Sequence, residues 1–90
     1  MDIEDWRRKI DEYNKQLLAL LSERAECALE IGRIKQEAGQ PIYVPEREAA
    51  VLAHLKDLNG GPLTAAAVER IFQAIMTESR QLEQDESGET

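Results

Sequence analysis

The first 38 residues read as one uninterrupted helix, and its length constrains the fold more than any other feature of the chain. No proline and one interior glycine, Gly32, fall within a run of good helix formers. Gly32 costs roughly 1 kcal/mol relative to alanine, which points to a close backbone approach there. Steps of three and four residues pick out Ile3, Trp6, Ile10, Tyr13, Leu17, Leu20, Arg24, Cys27, Ile31 and Ile34, an apolar stripe with one intruder. Asp2 can cap the start and Ala38-Gly39 marks the stop. A helix of about 36 residues is ~54 Å long, whereas a compact chain of this size has a radius of gyration of only ~12 Å. Two shorter helices cannot cover such a stripe. A second copy of the chain, with the long helices paired, is the expected cover.

The remaining residues supply two shorter elements. Gln40-Pro41-Ile42-Tyr43-Val44 is an extended connection, after which Pro45 suits the first position of a helix running to Leu58. Val51, Leu52, Leu55 and Leu58 should face inward. Asn59-Gly60-Gly61-Pro62 forms a turn, and Thr64 caps a third helix over roughly Ala65 to Gln84. With one Phe, one Trp and two Tyr, strands are not expected, so the fold class is all-α: one long, one short and one medium helix per chain. Ninety residues make one domain, expected over 1–84. Residues 85–90, Asp-Glu-Ser-Gly-Glu-Thr, read as a disordered acidic tail or linker stub. A net charge of −7 argues against nucleic acid or an anionic membrane as partner. There is no apolar run of spanning length, and one cysteine cannot form an intrachain disulfide, so a cytoplasmic setting is expected.

Arg24 is the informative flaw in the stripe. Lys35 lies eleven residues on, within ~20° of the same face and ~16 Å along the axis. Charge on a packed face is expensive unless compensated, and an anionic ligand is one source of compensation. A structural ion pair between Arg24 and a glutamate of another helix, such as Glu48, is the other. Arg7 precedes Arg24 by ~25 Å of helix, so the two cannot hold one small molecule within a single chain. An antiparallel partner helix brings its Arg7 toward Arg24. By phase, Glu48 continues the inward face of the second helix and Arg47 precedes Val51 by four residues; Ser79 and Glu83 continue the Ile75/Met76 face of the third. Cations, two carboxyls and a hydroxyl thus converge on an apolar interior. There is no nucleophilic His/Cys arrangement, phosphate-binding loop or metal-ligand spacing, and lone His54 has no companions.

These stretches resemble the all-helical AroQ class of chorismate mutases over essentially residues 3 to 84. The matching runs are Trp6-Arg7, Leu17 through Arg24, Glu30 through Lys35, Pro41 through Glu48, and Ile71 through Ser79. The resemblance implies an intertwined three-helix homodimer with two sites, no cofactor, and conversion of chorismate to prephenate. It implies Arg24 and the partner chain's Arg7 on the substrate's two carboxylates, with Ser79 assisting. Lys35 would contact a carboxylate and the ether oxygen, Glu48 the substrate hydroxyl, and Glu83 the ether oxygen. Arg47 matches a site-lining arginine. Two positions depart from the best-known bacterial pattern: Val44 stands where that pattern has an acid, and Glu83 where it has glutamine. An isochorismate-pyruvate lyase on the same fold and a non-catalytic dimerisation module are the competing expectations.

Overall fold

A computed structural model of the chain describes residues 1–88. Three helices, α1 (Ile3–Ala38), α2 (Pro45–Leu58) and α3 (Ala65–Ser87), account for the architecture. Local chemistry sets most of their ends. Asp2 and Asp5 form a reciprocal capping box, each carboxylate accepting the other's backbone N–H at 3.0 Å. Gly39 closes α1 in the left-handed conformation at φ 67°. Pro45 occupies the first turn of α2, and Thr64 Oγ1 accepts from Ala67 N at 3.1 Å at the start of α3.

The last helix runs further than the spacing predicts. It continues through Asp85, Glu86 and Ser87, and stops at Gly88, φ 81°, whose N–H bonds back to Asp85 and Gln84 carbonyls. Gln81 donates to Asp85 at 2.9 Å, and Arg33 on α1 reaches Glu86 at 3.0 Å. Those partners give the acidic end helical contacts that composition alone does not reveal. Glu89 and Thr90, the rest of the expected tail, lie outside the described residues.

Helix α3 packs on both the C-terminal half of α1 and on α2, and the core is small: Ala28, Leu52, Val68 and Met76. Val51 and Leu55 are half-buried as expected, but Leu58 is not inward. At the final residue of α2 it is 67 % exposed. The N-terminal half of α1 stands clear of the other two helices. Ile3, Trp6, Ile10, Tyr13 and Leu17 are all more than half exposed in the single chain. The molecule accordingly measures 54 Å along its longest axis, with a radius of gyration of 16.0 Å. Among the described residues no helix is long and apolar enough to cross a membrane.

Candidate active site

The three helices line an open cavity of about 390 Å³, within the range of small-molecule sites. Its walls are apolar at Ala28, Ile31, Val44, Val51 and Met76, and its charged groups are Arg24, Lys35, Arg47, Glu48, Arg80 and Glu83. Each element contributes by its phase. Arg24 and Lys35 come off the α1 stripe three turns apart and lean into the same space. Arg47 and Glu48 belong to the first turn of α2, and Ser79 and Glu83 to one face of α3.

Hydrogen bonds orient the donors. Arg24 Nη1 donates to Ser79 Oγ at 2.8 Å, while Ser79 Oγ donates to the Ile75 carbonyl at 2.9 Å. Lys35 Nζ donates to the Ile42 carbonyl at 2.9 Å, tying α1 to the connection before α2. Each cation thus spends one donor on the protein and keeps others, since a guanidinium carries five N–H groups and an ammonium three. Neither is paired with a carboxylate among the described residues. The structural alternative for Arg24, an ion pair with Glu48, is therefore not formed. Glu48 Oε2 instead lies 2.7 Å from Arg80 Nε, and Gln73 Nε2 donates to its other oxygen at 3.4 Å. The Arg80 contact is close but lies off the N–H direction, which makes it a Coulombic pair rather than an aligned hydrogen bond.

Among the described residues Glu83 is the one buried charged residue, 8 % exposed, and its Oε2 has no hydrogen-bond partner there. Burial pushes its pKa above the ordinary glutamate value; the fields of Lys35 and then Arg24 oppose that shift, and Glu48 adds to it. The Glu83 carboxyl thus lines a cavity that also holds Arg24 and Lys35, with its proton held more tightly than on an ordinary glutamate. Two placements differ from this grouping. Arg7 is remote from its own chain's cavity, two-thirds exposed and paired with Glu4. Val44 contributes only apolar surface.

A family model described as chorismate mutase type II matches residues 6–84. The chain belongs to the type II chorismate mutase family. Among its relatives, the bifunctional chorismate mutase/prephenate dehydratase of Pseudomonas aeruginosa is 46 % identical over 83 residues, 87 % of this chain but 23 % of that protein. The Neisseria gonorrhoeae protein of the same name is 44 % identical over 72 residues, 80 % of this chain and 19 % of that one. The chain therefore spans less than a quarter of the length of these relatives. Solved structures match end to end. The chorismate mutase of Thermus thermophilus superimposes with a TM-score of 0.90 at 39 % identity, covering 91 % of this chain and 93 % of that one. The chorismate mutase of Helicobacter pylori, solved in complex with prephenate, gives a TM-score of 0.86 at 32 % identity and covers 92 % and 90 %. The family membership and the three-helix architecture thus agree with the resemblance read from the residues.

One charged cavity residue of this chorismate mutase family member escaped the sequence reading. Arg80 stacks on the Tyr43 ring at 4.4 Å from its centroid, donates to Thr77 Oγ1 at 3.3 Å and pairs with Glu48. It follows Met76 by four residues and precedes Glu83 by three, the spacing that places a side chain on their face. Helical phase alone was sufficient to find it.

Proposed function

We propose that this chain is a chorismate mutase, rearranging chorismate to prephenate in aromatic amino-acid biosynthesis. The supporting observation is the meeting, in one apolar-walled cavity, of two carboxylate-free cations, Arg24 and Lys35, with the buried, partnerless carboxyl of Glu83. The reaction is pericyclic: an ether C–O bond breaks as a C–C bond forms within one molecule. It requires no nucleophile, cofactor or proton abstraction. It does require a dianion held folded, and donors aimed at the ether oxygen where negative charge develops.

Arg24 takes one substrate carboxylate through its free N–H groups, backed by Ser79. Lys35 reaches the other end of the same dianion and the ether oxygen. Glu83 donates to that oxygen from its protonated carboxyl. Glu48 accepts from the substrate hydroxyl, and Arg80 supplies the counter-charge that allows a carboxylate to stand beside a dianion. Arg47 and Val44 line the site.

The second carboxylate is held by the partner subunit's Arg7. Within one chain Arg7 and Arg24 are separated by ~25 Å of helix. The exposed stripe from Ile3 to Leu20 is the surface on which two antiparallel copies of α1 meet. Its run of large apolar side chains exceeds what a monomer leaves in water. The resulting homodimer carries two shared sites. The reducing cytoplasm suits the free thiol of Cys27 at the cavity edge.

Following chorismate absorbance while identifying the product tests the reading. Stoichiometric prephenate is expected. Pyruvate release from isochorismate without turnover of chorismate would assign the chain to the lyase reaction instead. Neither turnover nor a rise in melting temperature with chorismate would leave a non-catalytic dimerisation module.

A further inference from the structure

Gly32 is the glycine, among the described residues, at which an added side chain would crowd a neighbour. The other four are open: a Cβ added at Gly39, Gly60, Gly61 or Gly88 meets no atom within 4 Å. At Gly32 the same atom falls 3.0 Å from Glu83 Cγ, 3.2 Å from Glu83 Cβ and 3.5 Å from Glu83 Cδ. All three contacts are to one residue, and the two closest are to the stem of its side chain, which cannot swing aside as a flexible tip does. Gly32 is buried in the interior of α1, where glycine is among the poorest helix formers. Something other than helix stability accounts for it.

We propose that Gly32 is a positioning residue for the reaction: its bare backbone is the seat against which α3 lays the Glu83 stem, fixing the carboxyl in the cavity. The assignment rests on the reading of Glu83 as the donor to the ether oxygen. Seated there, Glu83 loses rotamer freedom before substrate arrives, and the α1 backbone covers one side of its carboxyl. The charged groups that act on it are Lys35 and Arg24 of α1 and Glu48 of α2, and Cys27, Arg47 and Arg80 line the same cavity. A methyl group at position 32 presses on that stem, which must yield by a few tenths of an ångström or carry α3 with it. Either movement shifts the donor from its place and loosens the cover over its carboxyl.

The experiment compares Gly32→Ala, Glu83→Gln, Glu83→Ala and the Gly32→Ala/Glu83→Ala double variant of the intact chain by kcat and KM across pH, and by thermal melting. Gly32→Ala should lower kcat about tenfold or more while moving KM less than about threefold, the signature of a contact made in the transition state. Its alkaline limb should move to lower pH, because a better-hydrated carboxyl ionises earlier. In the Glu83→Ala background the same substitution should cost less than about threefold, since the 3.0 and 3.5 Å contacts no longer exist. If Gly32→Ala alone fails to fold, the double variant should regain a cooperative melt.

A Gly32→Ala enzyme with an unmoved alkaline limb and normal kcat overturns the proposal. So does an equal loss in both backgrounds, or a double variant that also fails to fold; each assigns Gly32 to general helix packing. These outcomes leave the Glu83 reading intact provided Glu83→Gln flattens the alkaline loss. Glu83→Gln keeping the wild-type alkaline limb removes Glu83 from the reaction, and the role of Gly32 falls with it.

Discussion

Arg24 and Lys35 each hold a neutral protein acceptor and no carboxylate, so the cavity presents net donors to whatever enters it. Replacing either by alanine should lower turnover by about 10²–10³-fold, the scale of one preorganised donor to developing charge. Circular dichroism should show helix content unchanged, because neither residue closes a structural ion pair; loss of the fold in Arg24→Ala would restore the structural explanation of that arginine. Glu83 behaves in the opposite sense to a surface carboxylate. Its raised pKa comes from burial, against the opposing fields of Lys35 and Arg24. On the proposed role the protonated form is the donor, so activity should decline as pH rises through the folded-state value. Folding obeys the same sign: the stabilising share of Glu83 is complete below the ordinary glutamate range and is lost as pH climbs through the raised value. Glu83→Gln offers an amide donor at every pH, and its rate profile should be flat where that of the wild type falls on the alkaline side.

The helices differ in how locally their ends are specified. Asp2, Pro45 and Thr64 act within one turn of themselves, so the starts of α1, α2 and α3 follow from three or four consecutive residues. Thr64→Ala removes the acceptor for Ala67 N and should cost about 1 kcal/mol of stability, measurable as a lower denaturant midpoint with an unchanged slope. An unaltered midpoint would mean that water replaces the hydroxyl at no net cost. The far end of α3 follows a different rule. Asp85-Glu86-Ser87 has the composition of a tail, yet Gln81, Arg33 and Gly88 together carry the helix through it. Arg33 lies on another helix, 53 positions away in the chain, so no window of local sequence contains that interaction.

A 54 Å molecule with a radius of gyration of 16.0 Å is too extended to bury its own apolar stripe. Sedimentation at micromolar concentration should therefore report a dimer; a folded species of the 10.2 kDa chain mass would exclude the shared site. The shared site itself has a separate readout. Arg7→Ala and Arg24→Ala chains, each inactive alone, should recover activity when mixed, because one of the two sites in the heterodimer then carries both arginines. Persistent inactivity after subunit exchange has been verified would show that each chain builds its site alone.

Periodicity and punctuation by themselves determined the three-helix architecture, the starts of the helices, and the face on which Arg24 and Lys35 sit, because each depends on neighbours within a turn or two. The resemblance in Trp6-Arg7, Glu30 through Lys35 and Ile71 through Ser79 reached the family through order and spacing. Tertiary structure alone decided which partners meet. Arg24 bonds Ser79 rather than Glu48, Glu48 faces Arg80, and Gly32 lies beneath Glu83. Helical phase assigns a side chain to a face but leaves free the axial offset between packed helices. A shift of one turn, about 5.4 Å, exchanges every such partner while leaving the sequence pattern untouched.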